Sequence, residues 1–175
     1  MAVWIQIIGL RKLASNQIEK ERVASILNSI EFDFNSILPE YDIRLSQPQW
    51  KLRQSKDIEF FELQLLNQSL KIYFDNANFI EFSGSFDWFG SHFWFVDKQN
   101  ADLTKSIRNV FLKIANEYGI SELIYFSEWF FDLNEIRTGE ETFKGLKNRI
   151  KESSEYQKKE LEGMEANEYY IEKIV

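Results

Sequence analysis

Residues 58–86, IEFFELQLLNQSLKIYFDNANFIEFSGSF, decide the fold. Phe61, Leu63 and Leu65, then Leu70, Ile72 and Phe74, then Ile80 and Phe82 alternate with Glu62, Gln64, Lys71, Tyr73 and Glu81. Alternation with period two sends one set of side chains to a core and the other to the opposite face of a sheet. The apolar segments are separated by Asn67-Gln68-Ser69 and Asn76-Ala77-Asn78. Asn tolerates left-handed backbone angles and bonds its own main chain, so both separators read as turns. Three alternating strands joined by short turns make an antiparallel meander.

Working outward, residues 3–8 read as an earlier strand, β-branched and apolar on both sides, so both of its faces are expected to be partly covered. Asn16 with Glu19 approximates a capping box, and Val23, Ile26, Leu27 and Ile30 supply an amphipathic stripe, giving a helix over 16–30. Residues 31–56 hold both prolines, Pro39 and Pro48, and are expected to form loops around one short strand. Lys51, Arg53 and Lys56, beside Asp57 and Glu59, read as a solvated loop rather than a phosphate track. A further strand is expected at 92–96. A helix from Asp102 carries Leu103, Ile107, Val110, Phe111, Ile114, Ala115 and Tyr118 on one face and stops at Gly119. Residues 120–126 return as a strand, and Thr138 with Glu141 forms a capping box for a helix bearing Phe143, Leu146 and Ile150.

The expected fold class is α+β: an antiparallel meander sheet of about five to six strands, with two to three helices packed mainly on one face. Residues 1–150 read as a single α+β domain. Residues 151–175 read as a charged C-terminal segment, helical or partly disordered, with Leu161, Met164, Tyr169, Tyr170, Ile171 and Ile174 as anchors for docking on the sheet.

The chain contains no cysteine, which excludes disulfides, thiolate metal sites and a cysteine nucleophile. His92 is the only histidine, which excludes a histidine-dominated metal centre. No glycine-rich phosphate loop, nucleophile elbow or His-Glu-x-x-His pattern occurs, and no cofactor is expected. No apolar run reaches the length of a membrane helix, and no secretory signal is read at the start, so a cytoplasmic location without membrane association is expected.

The net charge of −7 is unevenly placed. Residues 75–136 carry 10 acidic and 4 basic side chains, while the flanking segments are nearly balanced at 9 and 9 before and 9 and 8 after. The same middle segment holds 15 of the 28 aromatics. An acidic segment repels phosphates, so nucleic-acid binding is rejected.

Two runs concentrate rings between acids: Phe86-Asp87-Trp88-Phe89-Gly90-Ser91-His92-Phe93-Trp94-Phe95 and Tyr125-Phe126-Ser127-Glu128-Trp129-Phe130-Phe131-Asp132. A strand points alternate residues to opposite faces, so not every ring in such a run enters one core. If the two runs are neighbours, Trp88, Phe89, Trp94 and Trp129 supply desolvated contact area and Asp87, Asp97, Glu128, Asp132 and Glu135 an acidic rim suited to a basic protein. In composition the chain is similar to small acidic bacterial immunity proteins, which block basic toxin domains; no motif carries individual residues over. The alternative is an enzyme or small-ligand domain whose cleft gathers Asp87, His92, Glu128 and Asp132 among aromatics, where burial raises a carboxylate's pKa enough for acid catalysis. A non-catalytic protein-binding module is the preferred reading.

Overall fold

The computed structural model describes residues 4–10, 16–29, 49–65, 68–74, 79–85, 101–127, 134–153, 157–158 and 168–175. In chain order these form β1 (Trp4–Leu10), α1 (Asn16–Asn28), β2 (Trp50–Ser55), β3 (Ile58–Leu65), β4 (Gln68–Tyr73) and β5 (Phe79–Ser85). Then come α2 (Ala101–Glu117), β6 (Glu122–Ser127), the short α3 (Asn134–Thr138), α4 (Phe143–Glu152), the two-residue β7 (Gln157–Lys158) and β8 (Glu168–Lys173). The strands form one sheet in the order β2-β3-β4-β5-β1-β6-β8-β7. Every described pairing is antiparallel except that of β7 with β8.

The α+β class and the meander are as the alternation requires, with more strands than the five to six expected. Leu63 pairs with Leu70, Phe61 with Ile72, and Ile72 with Phe82, so one apolar row crosses three strands. On this row lie Val23, Ile26 and Leu27 of α1 and Val110, Phe111, Ile114 and Ala115 of α2. The Phe82 and Phe111 rings meet at 4.5 Å between centroids, a tilted packing that adds to the area they bury.

The two longest helices share that face, and a second core occupies the other. Ile8, Phe79, Ile124, Phe126 and Tyr169 pack there with Ile136 of α3 and Phe143, Leu146 and Ile150 of α4. Leu123-Ile124-Tyr125-Phe126 is an unbroken apolar run because β6 is covered on both sides, and all four residues are fully buried.

Local chemistry sets the helix ends. Gly119 has φ of +62°, and Gly119 N donates to Asn116 O at 3.1 Å while Ile120 N donates to Ala115 O at 2.8 Å. This pair of bonds is a Schellman stop, with Ile120 turned into the core behind it. The capping box expected at Thr138 lies four residues too early. Thr142 is the N-cap of α4, its hydroxyl accepting from Gly145 N at 3.0 Å. Thr138 closes α3, and Gly139, with φ of +80°, breaks the chain between the two helices.

Two further expectations change. Residues 168–173, within the segment expected as a helix or partly disordered tail, are a strand paired with β6 from Glu122↔Lys173 to Phe126↔Tyr169. Alternation decides it, since Tyr169 faces the α4 core while Tyr170 and Ile174 pack against the α1 and α2 core. Lys51 and Arg53 lie on β2 rather than in a loop, and Lys56 occupies the two-residue turn to β3 with φ of +55°. The strand expected at 92–96 lies outside the described residues.

Candidate functional site

β5 and β6 both pair antiparallel with β1, one on each side of it, so they run in the same direction and finish at the same end of the sheet. Their last residues are level: Ser85 pairs with Trp4, and Ser127 with Ile5. Strands in a sheet lie about 4.8 Å apart, so the ends of β5 and β6, separated only by β1, are about 10 Å apart. Phe86-Asp87-Trp88-Phe89 follows the first end and Glu128-Trp129-Phe130-Phe131-Asp132 the second. The parts of both ring-and-acid runs that lie beyond the strands therefore depart from one end of the sheet. Of the residues singled out from the sequence, Asp87, Trp88, Phe89, His92, Trp94, Asp97, Glu128, Trp129 and Asp132 lie outside the described residues, which fix the two points from which their segments depart; Glu135 is exposed on α3 and paired with Arg149 at 3.4 Å.

The sheet beneath this edge is packed on both faces. Of the middle segment's aromatics, Phe79, Phe82, Phe111, Tyr118, Tyr125 and Phe126 are buried. The other nine belong to the two runs.

A polar network, which the sequence reading missed, stiffens the same platform. Tyr125 is fully buried on β6, and its hydroxyl donates to the carboxylate of Glu172 on β8, itself 5% exposed. Arg108 of α2 donates to the same carboxylate, Nη2 to Oε1 and Nε to Oε2, the latter at 3.4 Å. Burial, and then the charge of Glu172, push the Tyr125 phenol well above its ordinary pKa, so the ring stays protonated. The hydrogen bond to Glu172 raises the Arg108 pKa against the opposing effect of burial. Three elements distant in sequence, α2, β6 and β8, thus share one carboxylate. The sequence signal was Glu172 between Tyr170 and Ile174, an acid flanked by apolar residues on one face of the strand pattern.

A second polar surface lies on the face of the meander opposite α1 and α2. Lys51 pairs with Glu62 and Glu62 with Lys71, while Phe60 pairs with Tyr73 and Tyr73 with Glu81. Arg53 Nε reaches Glu62 Oε2 at 3.3 Å, the Lys71 ammonium stands 5.3 Å from the Phe60 ring centroid, and the Phe60 and Tyr73 rings are 5.1 Å apart. Glu81 has the polar-face position that alternation assigns it, yet it is 1% exposed. That face is therefore covered at β5 and open at β2, whose residues 51–55 are all exposed.

Among the described residues, no group of three or more His, Cys, Asp or Glu side chains is placed to hold a metal ion, and no helix is long and apolar enough to cross a membrane. No family model, curated protein or solved structure matches the chain.

Proposed function

We propose that the chain is a non-catalytic protein-binding module that presents an acidic and aromatic surface, at the sheet end where β5 and β6 finish, to a basic protein. The common departure point of the two runs is the observation that carries this reading. Rings of separate segments form one interface only if the fold brings the segments together, and their strands end level on either side of β1. The two-sided core supports it further. With α1 and α2 on one face and α3 and α4 on the other, the described core takes Tyr125 and Phe126 from the start of the second run and draws its other rings from outside the runs. Aromatic anchors provide most of the affinity at such interfaces, while surrounding carboxylates steer a cationic partner and pair with its Lys and Arg. An inhibitor of a basic toxin domain, the role of small acidic immunity proteins, is the kind of protein this chemistry suits.

Trp88, Trp94 and Trp129 are the residues for the test. Each is replaced singly by Phe and by Ala, with acrylamide quenching of tryptophan fluorescence, urea unfolding, and surface binding to a panel of cationic and acidic test domains over a salt series. The expected result is loss of a quenchable component in each Phe variant, near-normal unfolding of the Ala variants, and weakened binding to cationic domains, with on-rates that fall as salt rises. If all three Ala variants unfold the protein, or if association with cationic domains ignores salt, the reading is wrong.

A further inference from the structure

The β2 edge carries charge of the opposite sign to the rest of the chain. Among the described residues β2 ends the sheet order, and Lys51 to Ser55 are all exposed. Lys51 and Arg53 occupy one face of this strand, Leu52 the other. Glu62 is the carboxylate that register places opposite Lys51, and it is bonded instead to Arg53, its diagonal neighbour. Glu59, on the next strand, is bonded instead to Lys20 of α1 at 2.7 Å. Lys51 has no ion-pair partner among the described residues. The edge thus keeps positive charge in a protein whose net charge is −7.

We infer that the free edge of β2 is a docking site for an extended acidic segment of a partner protein, which adds to the sheet as a further strand. Every second residue of an edge strand directs its N–H and C=O away from the sheet, and these unpaired groups bind an added strand through its main chain. Side chains then set specificity. Acidic residues two apart on the incoming strand fall opposite Lys51 and Arg53, and an apolar residue between them falls beside Leu52, which is 39% exposed. A second copy of this chain is the wrong occupant. Antiparallel pairing of two β2 edges sets Lys51 and Arg53 of one copy against the same residues of the other, and like charges directly opposite are destabilising. The same repulsion keeps the edge from self-association while leaving it open to carboxylates. This surface lies on the outer strand of the meander and uses no residue of the acidic and aromatic runs, so either can stand without the other.

The probe is a short acetylated, amidated peptide, Thr-Glu-Val-Glu-Thr, with three relatives: a version with Lys for Glu, a version N-methylated on alternate amides along one edge, and a version N-methylated along the other. Binding to the full chain is followed by amide chemical shifts of the isotope-labelled protein. The expected result is that the Glu peptide binds and shifts β2 amides, that the Lys peptide does not bind, and that methylation abolishes binding along one edge only. Lys51→Glu with Arg53→Glu should weaken the Glu peptide by about tenfold or more and favour the Lys peptide. Because the methylated peptides use the unaltered protein, the test stands even if the double variant fails to fold. The inference is overturned if neither methylation pattern matters, since binding is then by charge alone. It is also overturned if the Glu peptide fails to shift β2 amides, or if sedimentation shows dimers that the double variant dissolves.

Discussion

Replacing Arg108 with Met isolates the worth of the network beneath the site. The substitution keeps an unbranched stem and removes the cation, leaving the Glu172 carboxylate, 5% exposed, with the Tyr125 hydroxyl as its remaining hydrogen-bond donor in the network. Removing one partner of a fully buried pair costs about 3–5 kcal/mol, because the other charge stays behind without compensation. Here the Arg108 side chain is 36% exposed, so water already screens the pair and replaces part of what is lost; discounting for that gives about 2–3 kcal/mol. In a chain of 175 residues this lowers the midpoint of thermal unfolding by roughly 4–12 °C, at about 2–4 °C per kcal/mol. Glu172→Gln alone should cost less than Arg108→Met, since the arginine left behind reaches solvent. The double variant should cost less than the sum of the singles by about 1–2 kcal/mol, the coupling of two groups in direct contact. Urea unfolding at neutral pH, followed by circular dichroism, measures all four corners of the cycle. Additivity within about 0.3 kcal/mol would show that the two side chains do not act as a pair and would refute the reasoning.

Tyr125→Phe tests the raised phenol. The folded pKa lies above the unfolded value of about 10, so the stability due to the protonated phenol is complete below that pH and is lost as pH rises toward the folded pKa. The stability advantage of the natural chain over Tyr125→Phe should therefore shrink above about pH 10, by up to about 1.4 kcal/mol per pH unit; an advantage constant through that range would contradict it. Gly9→Ala should destabilise by about 1–3 kcal/mol in urea titrations, because the added Cβ would stand 2.8 Å from Leu123 Cδ2 and 3.0 Å from Ile120 Cγ2, both side chains buried. A neutral effect would mean that the β1 and β6 core yields easily. Thr142→Ala should cost about 1 kcal/mol as the loss of an N-cap, while Thr138→Ala should stay within about 0.5 kcal/mol; equal costs would speak against the cap assignment.

Much of the fold was legible because its signals are local. The Asn-rich turns and the period-two segments located β3, β4 and β5 within about two residues, a normal margin for element ends. Gly119 marked the end of α2 because only a residue at ease with positive φ completes the Schellman bonds there. The cap of α4 misled because Thr138 and Thr142 both precede apolar positions, and the reciprocal Glu141 favoured the wrong one. Gly139 was the contrary signal, since a glycine just after a threonine marks a helix end more often than a start. The C-terminal strand was hidden by its charge: Glu168, Glu172 and Lys173 suggest a solvated segment, and the strand's partner, β6, lies more than 40 residues away. Glu172 is accommodated only because Arg108 and Tyr125, from two other elements, converge on it.

The same distinction governs the candidate site. Period two states which residues share a face, and it is silent on which faces the rest of the chain covers. Thus Glu81, a polar-face residue by pattern, is buried at the centre of the sheet, while Lys51 and Arg53, on the same face, remain exposed at its edge. The position of each strand in the sheet order makes the difference, and that order is set by pairings between distant segments. Placing β1 between β5 and β6 joins residues 4–10 to two segments that begin about 70 and 110 positions later. These two non-local pairings bring the points where the two acidic and aromatic runs leave their strands to a single end of the sheet. The composition of the runs was plain in the sequence, whereas their common origin required the topology.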